Sequence, residues 1–127
     1  RFDNRYDIVR DTVLAFMIEK KGAVDNLEEI LSEPGVEMTQ WGGADYSMNV
    51  GKPRQMSDPE VVAAKKKTFE LSLKMGVPPR AEIQSADEMK EYLDMGVRHF
   101  SLGTDITILY SYWKDEGEKV LRAMEGE

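Results

Sequence analysis

One piece of punctuation recurs along this chain: an amphipathic stretch, then glycine, then valine opening an apolar run. It occurs as Gly35-Val36, Gly76-Val77 and Gly96-Val97. A glycine just past a helix supplies a left-handed cap that other residues adopt only at a cost, and a β-branched residue after it begins a strand. Each instance therefore reads as an αβ junction. Strands and helices in strict alternation place the chain in the α/β class, with a parallel sheet and right-handed crossovers.

Four strand-helix units follow from those junctions. The first strand is VLAFMIE (13–19), continuous in apolar residues as a parallel strand covered on both faces should be. Its helix spans about 23–32, with Ala23, Val24, Leu27, Ile30 and Leu31 on one face. The second strand is VEMTQWG (36–42), and the next helix begins near DPE, with Asp58 as N-cap, Pro59 at the first helical position and an inner stripe of Val61, Ala64, Thr68, Leu71 and Met75. RAEIQ (80–84) is the third strand; Ser85 and Glu88 then form a capping box for a helix burying Met89, Tyr92 and Leu93. VRHFSLG (97–103) is the fourth, followed by a helix from about Asp105 with Ile106, Leu109, Trp113, Val120, Leu121 and Met124 inward.

Composition narrows the chemistry. At 127 residues the chain is a single domain, about half of the ~250 residues of a complete eight-stranded α/β barrel. A net charge of −7 disfavours nucleic-acid and anionic-membrane partners. No cysteine and one histidine exclude sulfur-based and multi-histidine metal sites within these residues, while 24 carboxylates leave oxygen-ligand chemistry open. The opening residues RFDNRYD do not read as a signal peptide, no run approaches the ~20 apolar residues of a membrane span, and a cytoplasmic location is expected.

The stretch GGADYSMNVGKPRQMS (42–57) is a long, glycine-rich, polar connection at the carboxyl end of the second strand, where ligands gather in α/β folds. Glu19 closes the first strand and Asp45 stands three residues past the second. Parallel neighbours lie about 4.8 Å apart, so carboxylates at adjacent strand ends can converge on one hard cation, Mg²⁺ or Mn²⁺. With 24 acids in the chain, two at strand ends also arise by chance. Context favours the site: an acid ending an apolar run is costly to bury without a partner, and GGAD suits close backbone approach to a ligand.

The segment MIEKKGAVDNLEEILSEPGVEMTQWGGADYSMNVG, continued by PPRAEIQ and GVRHFSLGTDITILY, resembles the HpcH/HpaI aldolases, metal-dependent class II pyruvate aldolases that include 2-keto-3-deoxy-L-rhamnonate aldolase. It carries an acid after an apolar strand, a helix rich in Asn, Leu and Glu, a Pro-Gly turn, and a G-x-x-D motif whose acid lies 26 residues after the first. The resemblance covers essentially the whole chain. It implies the second half, strands five to eight, of a TIM (β/α)8 barrel, residues 1–127 being a single C-terminal half-barrel. It further implies a lyase that cleaves 4-hydroxy-2-oxoacids to pyruvate and an aldehyde. Glu19 and Asp45 would be the metal ligands, and the backbone N–H groups of Gly43, Ala44 and Asp45 would meet the substrate carboxylate. The metal would act as Lewis acid for the charge developing on the enolate oxygen.

Two departures stand out. Gly43 replaces the proline of the family's usual G-P-x-D. The family's catalytic histidine and arginine come from the first half of the barrel, so no catalytic residue is assigned here, and neither His99 nor Arg98 is promoted to those roles. Two alternatives remain: a catalytically silent half-barrel that binds metal or a partner subunit, and a citrate-lyase-β or malyl-CoA lyase type of enzyme. Lys65, Lys66 and Lys67 read as a solvated helix face, Lys52 and Arg54 as solvent-exposed or as anion-holding, and Tyr110, Tyr112 and Trp113 as core or subunit packing. Four barrel strands would leave two bare edges, so pairing with the missing N-terminal half or a second copy, and a homo-oligomer, are expected.

Overall fold

A computed structural model describes residues 12–126; the signal-peptide reading of the first residues lies outside them. Strands β1 (Ala15–Ile18), β2 (Met38–Trp41), β3 (Pro79–Ile83) and β4 (His99–Leu102) form one wholly parallel sheet in the order β1-β2-β3-β4. The connections carry α1 (Lys21–Asp25), α2 (Leu27–Ser32), α3 (Gly43–Asn49) and α4 (Pro59–Lys74), then, after a 3₁₀ turn at Ala86–Glu88, α5 (Met89–Met95) and finally α6 (Asp105–Glu125). The expected α/β class and strand order are present. All three junction glycines take left-handed φ, 91° at Gly35, 77° at Gly76 and 103° at Gly96, where a side chain would be strained.

Helices and sheet bury two apolar clusters. Ile18, Val24, Leu27, Leu31, Tyr46, Val61, Ala64 and Val77 form one; Phe69, Ala81, Ile83, Tyr92 and Val97 form the other, and Trp41 packs against both. The α4 stripe is broader than expected, since Phe69 and Ser72 are buried as well. Thr39 Oγ1 lies 2.9 Å from Ser72 Oγ in a fully buried hydroxyl pair, which identifies the face of β2 turned to α4. Side chains alternate along a strand and share a face with their parallel partners. Met17, Gln40, Arg80 and His99 therefore occupy the opposite face. Asp58 caps α4 as expected, its carboxylate accepting from Glu60 N–H at 2.9 Å with Pro59 at the first position.

Several expectations are corrected. The first helix is broken at Asn26, whose side-chain amide donates to the Gly22 carbonyl at 2.9 Å and competes with helical continuation. Residues 43–49 form a helix rather than loop, anchored by buried Tyr46. Ser85 makes no side-chain cap; the Glu88 carboxylate instead accepts from Gln84 N–H at 3.2 Å, and Leu93 is exposed. On β1 only Ile18 is buried, because the described residues do not cover this edge strand on both faces. The inward stripe expected on α6 is exposed, with Ile106 at 75% and Trp113 at 68%.

Candidate metal and substrate site

The carboxyl ends of β1 and β2 are joined tightly. Ile18 pairs with Trp41, and Gly42 N–H donates to the Ile18 carbonyl at 3.0 Å, so Glu19 stands opposite Gly42. The fit leaves no room for a side chain: a Cβ on Gly42 would lie 2.6 Å from Glu19 Cβ, 3.0 Å from Met17 Cγ and 3.2 Å from Glu19 Oε2. Gly42 is also the N-cap of α3, its carbonyl accepting from Tyr46 N–H at 2.9 Å. Asp45 sits in the first turn of that helix, where the leading N–H groups have no intrahelical acceptor. The structure thus brings Glu19 against the bare backbone that opens the Gly43-Ala44-Asp45 turn.

The turn is held from three sides. Lys21 N–H donates to Asn49 Oδ1 at 2.8 Å, tying the segment after Glu19 to the far end of α3. Tyr46 packs on Trp41 with ring centroids 4.9 Å apart, and burial pushes its phenol above the usual tyrosine range. Ser47 Oγ donates to the Ala44 carbonyl at 2.7 Å and accepts from Arg54 N–H at 3.2 Å. At Gly43, where the proline of the resemblance is missing, a Cβ would lie 2.4 Å from Met56 Cε and 2.7 Å from Trp41 Nε1. Met56 and Trp41 therefore close over that position and take up the space a ring would need.

Glu19 is partly exposed and pairs loosely with Lys20 at 3.8 Å. Among the described residues no group of three or more His, Cys, Asp or Glu side chains is placed to hold a metal ion. Glu19 and Asp45 carry carboxylate oxygens, the donor type that suits a hard divalent ion.

Other residues singled out from sequence have defined places. Lys52 does not stand free: its ammonium lies 2.7 Å from Asp58 Oδ1 and 2.9 Å from Glu60 Oε2. These bonds raise the Lys52 pKa, and the same Lys52 contact, with the Glu60 N–H, lowers that of Asp58. Arg54 is exposed at φ 63°, in the turn that folds Lys52 back. The lysine run is not uniformly solvated, since Lys67 Nζ donates to the Val24 carbonyl at 2.7 Å and Lys65 Nζ stands 4.7 Å from the centre of the Tyr92 ring. Arg98 caps the end of α5 through the Leu93 and Val97 carbonyls, and His99 is exposed on β4 beside Arg80. A further network joins Arg80 to Gln40 and Gln40 to Glu82, with Arg80 Nε buried and unbonded. Its sequence signal was the alternation of Arg80 and Glu82 on one face of RAEIQ.

No helix among the described residues is long and apolar enough to cross a membrane. Over 92 residues the chain is 33% identical to 4-hydroxy-2-oxo-heptane-1,7-dioate aldolase of Escherichia coli, a match covering 72% of this chain and 35% of that one. The chain thus spans about a third of the length of the curated relatives it matches. In fold it is similar to citrate synthase SbnG, with a TM-score of 0.80 at 24% identity over 87% of this chain and 45% of that one. It is likewise similar to an HpcH/HpaI aldolase from Desulfitobacterium hafniense DCB-2, with a TM-score of 0.74 at 24% identity over 85% and 42% of the two chains. The HpcH/HpaI aldolase/citrate lyase model matches residues 4–111, and the chain belongs to that family.

Proposed function

We propose that this chain is the metal-binding half of a lyase that cleaves 4-hydroxy-2-oxoacids to pyruvate and an aldehyde. The observation that carries the reading is the seating of Glu19 against Gly42, the residue that opens the Gly43-Ala44-Asp45 turn. Glu19 and Asp45 would hold Mg²⁺ or Mn²⁺. When bound, the cation supplies Lewis-acid stabilisation of negative charge on the substrate's keto oxygen. The N–H groups of Gly43, Ala44 and Asp45 orient the substrate carboxylate, and Tyr46, Ser47 and Asn49 keep that turn rigid against the end of β1. Proton transfer is assigned to residues outside this chain.

In this reading the four strands are strands five to eight of a (β/α)8 barrel. The face bearing Met17, Gln40, Arg80 and His99 looks into the barrel, and the edges β1 and β4 pair with further polypeptide, either a first half or a second copy. The exposed apolar residues of α6 add an interface in a homo-oligomer. The uncovered edges favour a second reading for the chain alone, a catalytically silent half that binds metal or a partner. A cytoplasmic setting suits both. The test is pyruvate release from a 4-hydroxy-2-oxoacid, followed through lactate dehydrogenase. The 127-residue chain gives no more than a trace, and a complementing first half restores turnover. Release by the chain alone, at a rate indifferent to the added half, would overturn the assignment of proton transfer elsewhere.

A further inference from the structure

Beyond Gln40 and Arg80 the β2–β3 ladder ends, although both strands continue, and the sheet opens at its carboxyl end. In that opening lies a cavity of about 300 Å³, bounded by Gly43 and Ala44 on one side and Glu82 on the other. This is the small end of the range for ligand pockets, roughly 300–1,000 Å³. Its walls are aromatic and apolar: Trp41, Phe69, Tyr92, Val61 and Met56. A second hollow between α4 and α5, about 560 Å³, shares Met56, Lys65 and Phe69 with it.

Glu82 and Lys65 are the charged groups lining the cavity, and Lys66 and Lys67, next to Lys65 in sequence, lie outside its lining. Glu82 accepts from the Gln40 amide. Lys66 is paired with Glu70 at 3.6 Å, and Lys67 is spent on the Val24 carbonyl. Lys65 is half-buried against the Tyr92 ring and, among the described residues, has no carboxylate partner. We propose that this cavity binds a small aromatic or alkyl carboxylate. Its apolar body would lie against Trp41, above the buried Phe69 and Tyr92, and its carboxylate on the Lys65 ammonium, with Met56, half exposed, as the yielding wall. The cavity borders the metal-binding turn through Gly43 and Ala44, but the proposal uses neither the metal nor the lyase reading.

The chain has two tryptophans, Trp41 in the cavity wall and Trp113 exposed on α6, so in a W113F background the emission comes from Trp41, and the K65Q and pyruvate arms separate the cavity from the neighbouring turn. Titration of the full chain with phenylacetate should change that emission saturably, with Kd at or below about 1 mM. K65Q, and separately the uncharged probe phenylacetamide on the unaltered cavity, should each weaken binding about tenfold. Pyruvate with Mn²⁺ should leave the titration unchanged. No saturable response up to about 10 mM, or equal binding of the acid and the amide, would overturn the proposal. So would displacement by pyruvate, which would place the response in the substrate site; failure of metal binding alone would leave the phenylacetate result intact.

Discussion

Replacing Gly42 by alanine is the sharpest local perturbation of the candidate site. The added methyl would lie 2.6 Å from Glu19 Cβ, whereas non-bonded carbons settle at about 3.5–4.0 Å. Roughly 1 Å of movement is therefore required, and Glu19 Cβ, one bond from the backbone, cannot swing aside as a chain terminus could. Gly42 has φ −97°, outside the left-handed region that favours glycine, so the main effect is steric. Overpacking of this kind costs about 1–3 kcal/mol, and metal ligation tolerates only about 0.2 Å. Gly42→Ala should lower the urea-unfolding free energy by that amount and abolish Mn²⁺ binding. Gly22→Ala is the control: no atom lies within 4 Å of its added methyl, the position is helical, and a gain of about 0.4–1 kcal/mol is expected. If the two variants differ by less than about 0.5 kcal/mol and bind Mn²⁺ alike, the reasoning from the Glu19–Gly42 contact is wrong.

The Lys52, Asp58 and Glu60 staple predicts a pH dependence. The Asp58 pKa is depressed, so its stabilisation is present above the unfolded value of about 3.9 and lost as pH falls through the folded one; that of Lys52 is raised, so its share is present below about 10.4 and lost as pH rises through the folded value. Asp58→Asn should flatten the acid limb of a stability profile, and an unchanged limb would count against the staple. In the buried hydroxyl pair, Ser72→Ala strands Thr39 Oγ1 and should cost about 1–3 kcal/mol, while adding Thr39→Val recovers much of it; additive losses in chemical denaturation would contradict the pairing. Light scattering should give a mass above that of one chain, reduced by Trp113→Glu on α6; a dispersed, well-folded monomer would refute the proposed interfaces.

What could be read from sequence was what depends on few neighbouring residues. Gly35, Gly76 and Gly96 mark helix ends because left-handed φ is a property of the residue itself, and Asp58-Pro59 marks a helix start for the same reason. Glu19 was legible as an acid closing an apolar strand. Helix α3 was not, since glycine, serine and asparagine are weak helix formers and burial of Tyr46, a tertiary effect, holds it. The Lys52 staple depends on the reversal at Arg54, and the closure of Met56 and Trp41 over Gly43 on chain segments meeting in space. The α6 stripe was read as inward and is exposed, because periodicity does not say whether a covering partner lies in the same chain.

Mn²⁺ binding, followed by isothermal calorimetry on the chain and on Glu19→Gln and Asp45→Ala, tests the central assignment most directly. One site per chain is expected, lost in either variant because a single carboxylate does not hold an exchanging divalent ion, while far-UV circular dichroism stays unchanged. Undiminished Mn²⁺ affinity in both variants would contradict the account and move the metal elsewhere.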